Sequence, residues 1–330
     1  MKVNYFHFKE YIMLNSFSKN GTVNKFWEFN LKIVLIAVYG ITCLPTSLTY
    51  AQADTPVAVV ADTVRDRQHP ATANVIALPS HGVTLNALFL IAAGAGPHPT
   101  VLLLHGLPGF EQNMDLARAL QRDGWNVLTF HYRGNWGTPG RYSFGHCIED
   151  AVSALEWLHS STGESAAMID RTRIVVIGHS LGGFAAAWAG THDPTLAGVA
   201  LISASPLGGL AALPRDSIVQ AIESNVLNRS GIHTIGDTTS EELADEIIAH
   251  RKSWDFNNFS AGLATHPLLV VSSNDPFQKA DMVLAKDVES HSDAHVKIVH
   301  LETDHSYNDQ RIALESVILN WLHEAVKSVR

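Results

Sequence analysis

The sequence predicts an α/β protein: a mostly parallel, doubly wound sheet with helices on both faces and a helical insertion. Three observations carry this. Short apolar runs such as Val101-Leu102-Leu103-Leu104, Ile174-Val175-Val176-Ile177 and Val199-Ala200-Leu201-Ile202 read as strands buried on both faces. Helical patterns alternate with them, at Met114–Arg122 with Leu116, Ala119 and Leu120 on one face, at Ile148–Leu158, and at Phe184–Ala189. The alternation breaks near Ser205 and resumes at Leu268-Leu269-Val270-Val271. Between them, helical stretches near Ile218–Leu227 and Ser240–Lys252 place the insertion at about 205–265.

The remaining elements follow in chain order. Val75–Leu78 and Val83–Ile91 are extended segments separated by Pro79-Ser80-His81-Gly82, the composition of an antiparallel turn. Val127-Leu128-Thr129-Phe130 is a further strand, and Val296-Lys297-Ile298-Val299 the last. Ile312–Val329 closes the chain as a helix, with Leu314, Val317, Ile318, Trp321 and Leu322 facing inward. Residues 54–330 are expected to form one domain.

Residues 1–53 read differently. Lys25 and Lys32 precede the apolar run Ile33–Val38, and Ala51-Gln52-Ala53 supplies an A-x-A site. A basic flank, a short apolar centre and small residues describe a secretory signal peptide, implying a periplasmic or secreted protein. An uncleaved leader acting as a membrane anchor is the alternative, although the run is short against the ~20 residues of a span. The leader is long, so Met13 is an alternative start, and Cys43 lacks the small preceding residue of a lipoprotein signal.

Composition excludes several classes. The 330 residues are 46% hydrophobic and 17% charged, enough for a sizeable core, with no internal repeat. The formal charge of −9 becomes −12 without the leader, whose five Lys face two Glu. An acidic protein argues against nucleic acid or an anionic membrane as a partner. Of the two cysteines, Cys43 belongs to the leader, so Cys147 stands alone and no disulfide framework is expected. Cys147 reads as a small buried hydrophobe.

The chemistry concentrates at strand ends. Gly178-His179-Ser180-Leu181-Gly182 lies between an apolar strand and a small-residue helix. In a G-x-S-x-G turn the flanking positions are too tight for side chains, so the serine is presented at the strand's carboxyl end. A serine hydroxyl needs a base, for which His305 is the candidate, and the base needs a carboxylate to hold its tautomer. Asp275 directly follows the 268–273 strand; Asp304 is a rival, but it is adjacent to His305 in sequence. His105-Gly106-Leu107-Pro108-Gly109 follows the 101–104 strand, and the N–H groups of Leu107 and Leu181 are candidates to stabilise an oxyanion.

With these motifs the sequence resembles the α/β-hydrolase family over nearly the whole mature chain. Tyr132-Arg133-Gly134 with Gly137 and Gly140, Asp150, and the Asp304-His305 to Trp321-Leu322 stretch also fit its pattern. Ser272-Ser273-Asn274-Asp275 departs from it in lacking the glycine common before this aspartate. The resemblance implies an acyl-serine mechanism with Ser180, Asp275 and His305 as the triad, a small-molecule acyl substrate, and a cap over the site. It implies no cofactor. Carboxylic-ester hydrolysis leads, with peptide or amide cleavage as the alternative and a non-catalytic binding protein as a more distant one.

Other residues invite functional readings. Phe110, Tyr132, Trp136 and Tyr142 are candidates for the substrate pocket, against ordinary aromatic packing. Glu241, Glu242 and Glu246 could recognise a substrate amine, or could form a solvated helix face. His291, Asp293 and His295 have metal-ligating chemistry, but 18 histidines make such clusters common and no metal is expected. His105 and His179 read as residues that pack or orient the loops flanking the backbone donors.

Overall fold

The computed structural model describes residues 54–160, 164–224 and 234–326; the leader, Met13 and Cys43 lie outside the described residues. Eight strands form one sheet: β1 (Thr72–Ser80), β2 (Val83–Ile91), β3 (His98–Leu104), β4 (Asn126–Phe130), β5 (Ile169–His179), β6 (Gly198–Ile202), β7 (Pro267–Ser272) and β8 (His295–His300). Their spatial order is β1-β2-β4-β3-β5-β6-β7-β8. β1 pairs antiparallel with β2 and β2 with β4; every pairing from β4 to β8 is parallel. The helices are α1 (Val57–Val60), α2 (Met114–Arg122), α3 (Phe144–Ser160), α4 (Glu164–Ala167), α5 (Leu181–His192), α6 (Leu207–Leu210), α7 (Arg215–Ile222), α8 (Ser240–Ala249), α9 (Ser260–Leu263), α10 (Gln278–Glu289) and α11 (Arg311–Ala325).

The continuous apolar strands have the physical reason expected of them. Alternate residues of one strand enter opposite cores, because side chains of a strand project with a period of two. Leu102, Leu104 and Val176 pack with α3 and α5 residues such as Leu155 and Phe184. Val101, Leu103, Val175 and Ile177 pack instead with Leu116 and Leu120 of α2 and with Ile318 and Trp321 of α11. Each such side chain contributes about 1.5–3 kcal/mol on burial, so neither face tolerates a polar residue cheaply. At the antiparallel end the sheet opens to solvent, and Val75 of β1 is 86% exposed.

Two differences from the sequence expectation stand out. A helix, α10, occupies Gln278–Glu289, for which the sequence pattern named no element; Leu284, Ala285 and Val288 bury its inner face. The insertion between β6 and β7 holds α6 to α9 and adds to one of the two cores. Leu243, Ala244 and Ile247 of α8 join the α3–α5 side, and Trp254 packs edge-on against Phe184 at 5.8 Å. Among the described residues no helix is long and apolar enough to cross a membrane.

Candidate active site

β5 ends at His179, α5 begins at Leu181, and Ser180 is the single residue between them. It adopts φ 57° and ψ −117°, a left-handed conformation that a non-glycine residue holds only when its surroundings dictate it. Those surroundings are close backbone contacts. A Cβ on Gly178 would lie 1.9 Å from the Gly182 carbonyl oxygen, and one on Gly182 would lie 2.2 Å from the Leu104 carbonyl oxygen. Both glycines are therefore obligatory. Ser180 N–H donates to the Ile202 carbonyl at 2.9 Å, and its own carbonyl accepts from Ser205 N–H and Phe184 N–H. The serine is thus pinned at the carboxyl end of the central parallel strands, at the N-terminus of α5, where unpaired N–H groups favour negative charge.

Asp275 and His305 arrive from the loops after β7 and β8. His305 Nδ1 lies 2.9 Å from Asp275 Oδ2, the hydrogen bond that leaves Nε2 free to act. The Asp275 side chain is 2% exposed and that of His305 is 35% exposed. The other oxygen of Asp275 accepts from the N–H groups of Phe277 and Gln278, which open α10. Behind this pair lies a buried hydroxyl chain. Ser273 Oγ donates to Asp275 Oδ2 at 2.7 Å, Ser203 Oγ sits 3.0 Å from Ser273 Oγ and 2.9 Å from Tyr307 Oη, and Tyr307 donates to the Val271 carbonyl. Burial alone would raise the Asp275 carboxyl. Hydrogen bonds from His305, Ser203 and Ser273 overcome it and hold the group well below the usual carboxylate range. Ser273, two residues before the acid, is thus a hydrogen-bond donor to it. Asp304 binds Ser306 N–H and Asn308 instead, so the rival acid is occupied within its own loop.

The third component follows β3. Gly106 is wedged against the elbow: a Cβ there would meet Ser180 Cβ at 2.8 Å and the His179 carbonyl at 3.2 Å. Gly106, Leu107, Pro108, Gly109, Phe110 and Glu111 line a cavity of about 330 Å³ together with His179, Ser180, His305 and Ser306. Ser180 and His305 therefore share one cavity, although no hydrogen bond joins Ser180 Oγ to the imidazole; such contacts commonly tighten only with substrate in place. His105 and His179 do orient loops. His105 Nδ1 donates to the Gly106 carbonyl at 2.7 Å, and His179 Nε2 donates to the His305 carbonyl at 2.8 Å. Burial lowers them to about 4 and about 3, so both are neutral at pH 7.

The aromatic candidates divide. Phe110, 45% exposed, lines the cavity, and Trp136 stands edge-on to it at 5.3 Å. Tyr132 and Tyr142 are fully buried away from the lining; Tyr132 Oη donates to the His105 carbonyl, and both pack among Phe130 and Phe144. The described part of the insertion also contributes no residue to this lining; residues 225–233 lie outside the described residues. Two of its acidic candidates have other partners, and the third, Glu241, is exposed on α8. Glu246 accepts from Phe144 N–H and Gly145 N–H at the start of α3, and Glu242 completes a capping box with Thr239 and pairs with Arg141. Cys147 is buried, and His291 and Asp293, in the turn before β8, and His295, its first residue, are exposed.

Sequence reasoning missed the residues that hold the site from behind. Arg311, at the start of α11, donates to the Ser306 carbonyl, to Asn113 Oδ1 and to Asp115, tying the His305 loop to the segment after Glu111. Glu315, one turn further on, faces Asp115; burial and that carboxylate push it up to about 7. Ser203, Ser273 and Tyr307 carry no motif. Their only signal is their place, Ser203 and Ser273 one residue beyond β6 and β7 and Tyr307 in the loop after β8.

A family model described as the alpha/beta hydrolase family matches residues 101–314, well over half the chain. The chain belongs to the alpha/beta hydrolase family. Among curated relatives, Uncharacterized protein Rv2307c of Mycobacterium tuberculosis is 35% identical over 144 residues, 43% of this chain and 48% of that one. Lysophosphatidylserine lipase ABHD12 of Rattus norvegicus is 33% identical over 92 residues, 27% of this chain and 21% of the relative. The chain thus spans less than half the length of either relative. Among solved structures, Est1E from Butyrivibrio proteoclasticus with ferulic acid bound superposes with a TM-score of 0.59 at 14% identity, covering 76% of this chain and 99% of that one. That likeness speaks for the fold.

Proposed function

We propose that the protein is a serine-dependent carboxylic-ester hydrolase. The observation that carries this reading is the 2.9 Å bond between His305 Nδ1 and Asp275 Oδ2, with His305 lining the same cavity as Ser180 and Leu107. In the proposed cycle Ser180 Oγ attacks the ester carbonyl carbon while His305 Nε2 takes its proton. The carbonyl π electrons move to oxygen, where the N–H groups of Leu107 and Leu181 stabilise the charge. Collapse returns that pair, breaks the bond to the alcohol, and His305 protonates the leaving oxygen. Water then attacks the acyl-serine by the same route, releasing acid and regenerating Ser180. Asp275, held as a carboxylate, keeps Nδ1 protonated and steadies the imidazolium.

The choice of ester over amide draws on three supports. Matched segments come from a lipase, and Est1E was solved with a phenolic acid bound. The cavity rim carries Phe110 beside Trp136, an apolar ledge suited to an acyl chain. Glu242 and Glu246, two of the carboxylates that amine recognition could use, are committed to structural partners, and Glu111 on the cavity lining accepts from Asn113 N–H and faces Arg311.

A p-nitrophenyl ester series run beside aminoacyl amides tests the reading. Ester turnover should exceed amide turnover, and Ser180→Ala should lower it roughly 10⁴- to 10⁶-fold. Near-normal activity in that variant, or folded wild-type protein that resists fluorophosphonate labelling, would refute it.

A further inference from the structure

Leu107 can donate to an oxyanion only if its peptide is held in place, yet the Gly106–Phe110 loop has no secondary structure of its own. The Leu107 N–H shares its peptide with the Gly106 carbonyl, which His105 Nδ1 holds at 2.7 Å, and the loop beyond is held at the carbonyl of Pro108. Pro108 O accepts from Asn135 Nδ2 at 3.0 Å and from Trp136 Nε1 at 2.8 Å. Proline fixes its own φ, so pinning its carbonyl restricts how the Leu107–Pro108 peptide can turn, and with it the freedom of the residue that carries the Leu107 N–H. Gly109, at φ 94°, is pressed onto the same clamp: a Cβ there would lie 2.7 Å from Trp136 Nε1.

Asn135 does more than share this task. Its side chain is wholly buried, and the two amide hydrogens point to different parts of the chain, one to Pro108 O and the other to Thr234 O at 3.0 Å. Thr234 belongs to the insertion, and three more bonds stitch that segment to the same turn. Trp136 N–H donates to Thr234 O, Gly236 N–H to Gly134 O, and Tyr142 N–H to Gly236 O. A planar amide with two donors spans both carbonyls; no apolar residue and no carboxylate can.

We propose that Asn135 is a positioning residue for the oxyanion site, holding the loop that carries the Leu107 N–H through Pro108 and locking its register to the insertion. The inference rests on the acyl-serine reading above. It predicts that Asn135 matters most when negative charge sits on the substrate oxygen, and little for binding of the chain itself.

A pair of inhibitors with the same alkyl chain separates these effects. A trifluoromethyl ketone adds Ser180 Oγ at its carbonyl carbon, with the proton passing to His305 and the π pair to the oxygen, so an alkoxide occupies the oxyanion site. The methyl ketone binds through its chain alone. With Asn135→Leu the trifluoromethyl ketone should bind about 10- to 100-fold more weakly, as for a displaced donor. The methyl ketone should change by less than about twofold, and kcat should fall with little change in KM. Trp136→Phe, which removes the other donor to Pro108 O but keeps the ring, should shift the ratio in the same direction and by less. Equal weakening of both inhibitors, or an unchanged ratio, overturns the proposal; if Asn135→Leu does not fold, the Trp136→Phe ratio decides it alone. Wild-type protein insensitive to the trifluoromethyl ketone and inert towards esters would instead overturn the acyl-serine reading, and this inference with it.

Discussion

The two walls of the cavity are held by different means. On one wall His305 is fixed side chain to side chain, through Asp275 and the hydroxyls of Ser273, Ser203 and Tyr307. On the other, the Gly106–Phe110 loop is fixed through backbone carbonyls, Gly106 O by His105 and Pro108 O by Asn135 and Trp136. The difference fits what the proposed mechanism asks of each wall. A base must move a proton, so its environment is built from groups that tune charge and tautomer. A backbone donor only has to be in the right place, so its environment is built from contacts that prevent displacement. Substitutions on the first wall should therefore disturb chemistry through charge, and those on the second through position.

The largest effect should come from the charge wall. Asp275→Asn keeps the shape but supplies the wrong hydrogen-bonding partner for Nδ1–H, and kcat should fall on the order of 10⁴-fold. Stopped assays on one activated ester would measure it; a loss under tenfold would mean that another carboxylate serves His305. On the positional wall, Gly106→Ala forces a Cβ to within 2.8 Å of Ser180 Cβ, and about a 10²-fold loss of kcat is expected from displacement alone. If activity survives, the loop is not held as tightly as its contacts imply. Tyr307→Phe removes a donor to the Val271 carbonyl and a neighbour of Ser203, at a cost of about 1–2 kcal/mol in urea unfolding with only a few-fold change in kcat. A larger kinetic than stability effect would show that the hydroxyl chain tunes Asp275 directly.

The smallest effect should appear where the two walls are tied together. Arg311 joins the His305 loop to Asp115, and Glu315 beside them is raised from 4.5 to about 7. Between those values the folded protein holds a proton that the unfolded chain has released. Stability linked to Glu315 is therefore present below pH 4.5 and lost as pH rises towards and through 7. Thermal unfolding of Glu315→Gln should show a shallower decline across that window and a higher Tm than wild type at pH 8. An identical pH dependence in both proteins would remove Glu315 from this role.

Much of the molecule was readable before any fold was known, and for identifiable reasons. Strands buried on both faces must be apolar throughout, so β3, β5, β6 and β7 announce themselves. The elbow is equally legible, because only glycine fits beside the Leu104 and Gly182 carbonyls. The candidates Asp275 and His305 stand out by their place after apolar strands and by chain order. Helix α10 does not: its buried residues are few and interspersed with charge, so packing decided it rather than pattern.

The sequence by itself determined the sheet, the position of Ser180 on its turn and the residue types able to assist it. These depend on neighbours along the chain or on a period that local geometry imposes. Only the tertiary structure decided that Tyr132 and Tyr142 belong to the core, that Glu246 caps α3, and that Asn135 reaches both Pro108 and Thr234. Those assignments depend on carbonyls and rings brought close from distant parts of the chain, and a hydrogen bond between such groups leaves no spacing to read.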